Sequence, residues 1–231
     1  MFCYAYGLAV NGAKVAIIGR NKEKLAKMSE TLTENAKNEY SKEATVKGYS
    51  CNVLDKEELV KTYEQIKAAL GSCDILINGA GGNQPGAIAS VKMLKKEKQE
   101  DDYSFWDLKE ENIRNVMDLN YMGTLLPIQV FTRDMVEKRK GSIINIASVS
   151  SILPLSKVMA YSNAKSAVQS LTQCWRSTLD RVASAAMPLY RDFMQQSRTM
   201  ICYLTRMAPT QTEPETSLPE LLWDVLVIQR S

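Results

Sequence analysis

Hydrophobic and polar positions along this chain switch repeatedly between a strand-like and a helix-like pattern. Residues 13–20 (AKVAIIGR) are a short apolar run rich in β-branched side chains, with Gly12 before it, and read as a buried strand. Leu25, Met28 and Leu32 then recur at helical spacing among charges, which predicts a helix over 22–38. Residues 44–50 (ATVKGYS) give a second strand, with Asp55 as the N-cap of a helix over 56–70. A third strand, 73–78 (CDILIN), runs into the glycine-rich GAGGNQPG. The polar stretch 92–106 reads as a solvated surface insertion. A long helical pattern covers 108–139, with Pro127 as its expected kink. Residues 141–148 (GSIINIAS) read as a fourth strand and 161–179 as a helix.

Alternating strands and helices predict an α/β fold, a parallel sheet covered by helices on both faces. Ligands of such sheets bind at the carboxyl ends of the strands, so functional residues are expected just after positions 18, 50, 77 and 147.

Composition narrows the choices. The chain has 231 residues, 45% hydrophobic and 24% charged, which suits one large folded domain. A net charge of +3 gives no electrostatic case for nucleic acid or a membrane surface. No apolar run reaches the ~18 residues of a membrane span, and the opening segment lacks the basic region of a signal peptide. Five cysteines without a C-x-x-C pair argue against zinc and a disulfide framework and predict a reducing cytoplasm. The chain has no histidine, which excludes Ser-His-Asp and Cys-His catalysis and removes the commonest metal ligand.

Chemistry must therefore come from other side chains. The loop at 78–82 (NGAGG) reads as either a plain turn or a ligand loop. Tyr161 and Lys165 lie four apart at the start of a helix and share a face. An ammonium beside a phenol favours the phenolate, so such a tyrosine can exchange a proton near neutral pH. Tyr63 and Lys67 have the same spacing, with Ser50 thirteen residues upstream of Tyr63. Tyr63, however, falls in line with Leu59, Ile66 and Leu70 on an apolar face, so it reads as a core residue, with Lys67 reaching to solvent. Tyr161 follows a loop among small side chains, and Ser148 ends the strand before it. Asn120, among Met117, Leu119 and Met122, is either exposed, locally bonded or buried for a purpose.

Together these residues resemble the short-chain dehydrogenase/reductase family. N-G-A-G at 78–81 looks like that family's N-N-A-G motif, and Asn120, Ser148, Tyr161 and Lys165 fall where its catalytic Asn, Ser, Tyr and Lys would be, with Y-S-N-A-K in register. GAGGNQP, DLNYMGTLLPIQVF and GSIINIASVSSILPLSKVMAYSNAKSAV look like the subgroup of D-mannonate or fructuronate oxidoreductases, over about residue 4 to Gln173. The resemblance implies a Rossmann-like doubly wound sheet, an NAD or NADP cofactor, a small sugar-acid substrate and a homo-oligomer, a tetramer in the family, built through the helices at 108–139 and 161–179. It implies that Tyr161 protonates the substrate oxygen, Lys165 lowers the tyrosine pKa and binds the nicotinamide ribose, Ser148 hydrogen-bonds the carbonyl oxygen, and Asn120 holds a water linking Lys165 to solvent. Cofactor contacts would come from Arg20, Asn21, Asn52, Val53, Asn78, Gly79, Ala80 and Gly81, together with Tyr161 and Lys165. Arg20, with no acid at Gly19, would favour the 2′-phosphate of NADP.

Two departures from the family are expected to matter. MFCYAYGLAVNGAKV looks like the helix that follows the family's first strand and phosphate loop, which implies an N-terminal truncation. After Gln173 the family pattern stops, and three segments read in a shifted frame restore it: CWRS as L-A-V, SAAMPLYRD as R-C-N-A-I-V-P-G, and LLWDVLVIQRS as P-M-G-R-F-G-D-P-E-E-L. One lost base near codon 174 would account for all three; a lineage-specific C-terminus is the alternative. The expected organisation is a partial dehydrogenase domain over 1–173 and a poorly packed tail over 174–231, with the sheet's last strands lost and Leu221, Leu222 and Trp223 exposed. Two functions follow: a sugar-acid oxidoreductase, or a catalytically inactive remnant that at most binds nucleotide weakly or oligomerises.

Overall fold

A computed structural model describes residues 2–39, 44–94, 96, 99–153, 155–178, 183–190 and 225–229. The chain begins with α1 (Phe2–Val10), whose Ala5 and Ala9 are fully buried on one face. Gly12, at φ 82°, ends this helix, with Ala13 N–H donating to Leu8 O and Gly12 N–H to Ala9 O. That glycine-capped turn reverses the chain into β1 (Lys14–Gly19). Then follow α2 (Lys22–Glu39), β2 (Thr45–Ser50), α3 (Lys56–Leu70) and β3 (Ile75–Asn78). The Asp55 side chain accepts from Glu58 N and caps α3 as expected.

The long helical pattern after the insertion is built from pieces: α4 (Glu110–Met117), a π-helical turn over Asp118–Met122, α5 (Gly123–Phe131) and α6 (Arg133–Glu137). The main irregularity is the π-turn, not a kink at Pro127, which lies inside α5. Proline removes only its own bond to the i−4 carbonyl, here Gly123, at the first residue of α5. The π-turn adds a residue to one turn and so rotates the side chains around it. β4 (Lys140–Ala147) and α7 (Met159–Thr178) complete the alternation. The insertion is tied at its base, where Ser90 N–H donates to Tyr103 O, but it is less polar outside than expected: Met93 and Trp106 are largely exposed.

The expectation that the last strands are lost is corrected by β5 (Ala183–Tyr190) and β6 (Val225–Gln229). Among the described residues the sheet has six strands in the order β2-β1-β6-β3-β4-β5. β5 pairs parallel to β4 along its length. β6 is the departure from a wholly parallel sheet. It lies between β1 and β3, antiparallel to both, with Val227 level with Ala16 and Leu76. Those two strands have no direct ladder with each other, and the apolar run VLVI supplies the strand that joins them. The expected exposure of Leu221, Leu222 and Trp223 falls outside the described residues.

Alternation along β1 divides the core between the two faces. Ala16 and Ile18 pack with Leu59, Ile66, Leu76, Phe131 and Val227, while Val15 and Ile17 pack with Leu25, Leu32, Ile77 and Ile144. Each fully buried Ile or Leu contributes about 1.5–3 kcal/mol, so the two layers hold β1 rigidly beneath the carboxyl edge.

Candidate active site

Four strand ends meet at that edge. β4 delivers Ser148, β3 delivers Asn78–Gly82, β1 delivers Arg20 and Asn21, and β2 leads to Asn52 and Val53. The first two turns of α7 bring Tyr161 and Lys165 to the same place.

Lys165 is almost wholly buried, with 3% of its surface exposed. A buried ammonium needs partners, and Lys165 Nζ donates to Ile146 O at 2.8 Å while standing 5.8 Å from the centre of the Tyr161 ring. Tyr161 packs against the small cluster of Ala87, Val116 and Ala160. Ser148 is buried at the end of β4; its Oγ accepts from Ser150 N at 3.2 Å and lies 3.0 Å from Ser150 Oγ. With Ser150 donating both bonds, the Ser148 hydroxyl keeps its own proton to give to a substrate oxygen.

Asn120 is fully buried at the centre of the π-turn. Its Nδ2 donates to Val116 O at 2.7 Å and Gly82 O at 2.8 Å, and its Oδ1 accepts from Gly82 N at 3.2 Å. Its backbone carbonyl accepts from Thr124 Oγ1 at 2.9 Å. The Asn120 side chain thus makes its hydrogen bonds to backbone, and clasps Gly82 to the helix.

The implied cofactor residues divide into those that face the edge and those that shape it. Arg20 is exposed beyond β1. The Asn21 side chain caps α2 by accepting from Lys24 N at 2.9 Å. The Asn52 side chain accepts from Leu54 N, and its N–H donates to Glu58 Oε2. Val53 and Ala80 are buried against Gly123, where a Cβ would meet Ala80 at 3.2 Å and Val53 at 3.3 Å. Asn78 turns inward: its Nδ2 donates to Asn145 Oδ1 at 2.8 Å, and Asn145 Nδ2 donates to Thr172 Oγ1 at 2.9 Å. Asn78, Val53 and Ala80 therefore offer a ligand backbone and shape rather than side-chain groups. Gly79 lies on the strand-end loop between Asn78 and Ala80.

Sequence reasoning missed Asn145, Thr172 and the Ile146 carbonyl, and had Gly82 only as part of the 78–82 loop. Only Asn145 left a signal, a lone amide inside the apolar strand SIINIA. The competing pair, Tyr63 and Lys67, has a different fate. Tyr63 is a core residue as expected, but its hydroxyl donates to Asp134 Oδ2 at 2.7 Å, and Lys67 Nζ pairs with the same carboxylate at 2.9 Å instead of merely reaching solvent. Burial and then the Asp134 carboxylate push the Tyr63 phenol far above its ordinary range. Among the described residues no cluster of potential metal ligands occurs, and no helix is long and apolar enough to cross a membrane.

A Rossmann-like sheet thus carries a buried lysine beside a tyrosine at its carboxyl edge. Residues 2–184 match the family model of the short chain dehydrogenases, and the chain belongs to that family. It is 39% identical over 166 residues to an uncharacterized oxidoreductase of Haemophilus influenzae, covering 72% of this chain and 56% of that protein. It is 35% identical over 165 residues to the uncharacterized oxidoreductase UxuB of Bacillus subtilis, covering 71% of this chain and 56% of UxuB. Among solved structures it resembles a provisionally assigned D-mannonate oxidoreductase from Haemophilus influenza with bound NAD, at 35% identity and a TM-score of 0.73, over 80% of this chain and 64% of that one. An NAD+-bound xylitol dehydrogenase shares the fold, at 21% identity and a TM-score of 0.67, over 82% of this chain and 65% of that one. The chain thus spans a little more than half the length of these curated relatives.

Proposed function

We propose that this chain carries the active site of an NAD(P)-dependent oxidoreductase acting on the carbonyl or carbinol carbon of a sugar acid of the fructuronate and D-mannonate type. The observation that carries this reading is the buried Lys165 ammonium, bonded to Ile146 O and set beside Tyr161 within one face of α7. The similarity to the NAD-bound relative supports the choice of substrate class and cofactor.

Tyr161 holds the proton that passes to or from the substrate oxygen. Lys165 supplies the positive charge that favours the phenolate. Ser148 donates to the substrate oxygen and fixes it against Tyr161. Asn120 keeps the Gly81–Gly82 turn in place beside Lys165. The chemistry a nicotinamide would supply here, when bound, is hydride transfer to the carbonyl carbon, or acceptance of hydride from the carbinol carbon in the reverse direction.

The residues present fit the two nucleoside ends of such a cofactor. Tyr161 and Lys165 offer a hydroxyl and an ammonium to the nicotinamide ribose, and exposed Arg20 offers a cation to the adenosine ribose or its 2′-phosphate. Between these ends the sheet presents Val225, the first residue of β6, level with Ile18 and Asn78. The described residues offer no glycine loop there for a diphosphate. This favours a second reading, an inactive remnant with weak nucleotide affinity. Self-association through α4–α7 and a cytoplasmic setting belong to the first reading.

Reduction of fructuronate by the chain with NADH or NADPH tests the proposal. Turnover that falls by about 10²-fold or more in Tyr161→Phe is expected. Undiminished turnover in that variant overturns the role of Tyr161. No turnover, and no NADH or NADPH binding below millimolar concentration by fluorescence titration, selects the remnant.

A further inference from the structure

Gly81 and Gly82 are neighbours in one turn, yet a side chain would meet different surroundings at each. A Cβ at Gly82 would come no closer than 3.9 Å to Leu119 Cδ2, an ordinary contact. A Cβ at Gly81 would collide with Asn120 Oδ1 and stand 2.9 Å from Lys165 Nζ. Gly81 also holds a φ of 156°, where side chains are disfavoured.

The two obstructing groups differ in how far they can yield. The Asn120 amide is pinned by two carbonyls and one N–H. Lys165 Nζ is the far end of a flexible stem, held at Ile146 O. Pressure from position 81 would therefore fall on the ammonium, which cannot retreat without changing its distance to Ile146 O or to Tyr161. The fold can absorb that shift more readily than the proton chemistry can.

We propose that Gly81 is a positioning residue for proton transfer: its bare Cα is the backstop that sets Lys165 Nζ beside Tyr161. This rests on the reading of Tyr161 as the acid and base. It assigns the glycine to the lysine at its back rather than to the close approach of a ligand.

The test is the ionisation of Tyr161 in the full chain, read as the ultraviolet phenolate absorbance of the protein minus that of its Tyr161→Phe variant. Gly81→Ala is expected to move the midpoint upward, by about one pH unit for a tenfold weaker bias toward phenolate. Gly82→Ala is expected to leave it in place. Lys165→Met is expected to raise it as well, and Gly81→Ala to add little in that background. The proposal is overturned by an unmoved midpoint in Gly81→Ala, by an equal shift in Gly82→Ala, or by a full further shift without Lys165. If Gly81→Ala does not fold, Gly81→Ala/Asn120→Ser is compared with Asn120→Ser, which clears the nearer collision and leaves the one with Lys165; a shift supports the backstop and its absence rejects it. A shifted midpoint in a chain that turns over no sugar acid leaves this inference standing and rejects the substrate reading. An unmoved midpoint in an active chain does the reverse.

Discussion

The Lys165 ammonium stands 5.8 Å from the centre of the Tyr161 ring, and Lys67 stands at the same distance from Tyr63. What separates the pairs is the third group. Lys165 donates to a backbone carbonyl, Ile146 O, whereas Lys67 and Tyr63 both bind Asp134. A phenol that donates to a carboxylate is held in its neutral form. The second pair is a clamp between α3 and α6, not a proton carrier.

Truncating the clamp should cost stability and leave the site intact. Asp134→Ala strands the buried Tyr63 hydroxyl, a penalty of about 1–3 kcal/mol. Urea unfolding should show a lower midpoint for Asp134→Ala and a smaller loss for Asp134→Ala/Tyr63→Phe, which removes the stranded group. Equal midpoints for Asp134→Ala and the parent would contradict the clamp.

The same carboxylate gives the clamp a pH dependence. Burial pushes the Asp134 carboxyl up, but the hydrogen bonds from Lys67 and Tyr63 and the Lys67 charge outweigh it and hold the group below its ordinary range. A depressed folded pKa contributes stability above the unfolded value of about 3.9 and loses it as pH falls through the folded pKa. The difference in unfolding midpoint between the parent and Asp134→Ala should therefore be full at neutral pH and shrink below about pH 4. A constant difference from pH 7 to pH 2 would show that the charge plays no part.

Asn120→Ala should loosen the turn that carries Gly81. It removes three hydrogen bonds and leaves Gly82 N–H without its side-chain acceptor, for about 1–3 kcal/mol. Amide exchange at Gly82 is expected to rise well before exchange in β3. Unchanged protection at Gly82 would mean that the π-turn holds the loop by other means.

Val227→Asp probes the strand between β1 and β3. Val227 is 2% exposed and belongs to the core beside Ala16 and Leu76. A carboxylate there should cost at least about 3 kcal/mol and speed amide exchange in β1 and β3 together. An unaffected unfolding midpoint would show that residues 225–229 do not fill this slot in solution.

We further propose, from the three shifted-frame matches, that the chain after Gln173 is read in a displaced frame. Sequencing of the gene across codons 170–180 checks it directly. An uninterrupted frame without an alternative reading would leave the tail as a lineage-specific C-terminus.

Much of the fold lies on the surface of the sequence. The strands from β1 to β4 and the helices α2, α3 and α7 follow from period and capping, and Asp55 caps where its residue type says it should. The irregular helix between Glu110 and Glu137 was less legible, because Pro127 is conspicuous in sequence while a π-turn has no residue signature. The candidate site was legible as a set of side chains, Ser148, Tyr161, Lys165 and Asn120. Their separate duties were not, since these depend on which backbone groups come within reach.

By itself the sequence determined the alternation of strand and helix and a composition without histidine, and it singled out the carboxyl edge and Tyr161 as candidates. These are local properties of residue type and period. Tertiary structure alone decided that Tyr63 is locked to Asp134, that Asn120 clasps backbone, and that a reversed β6 joins the halves of the sheet. Each of these is set by partners distant in sequence, and the hydrogen bonds a polar group makes depend on which of them folding brings within about 3 Å.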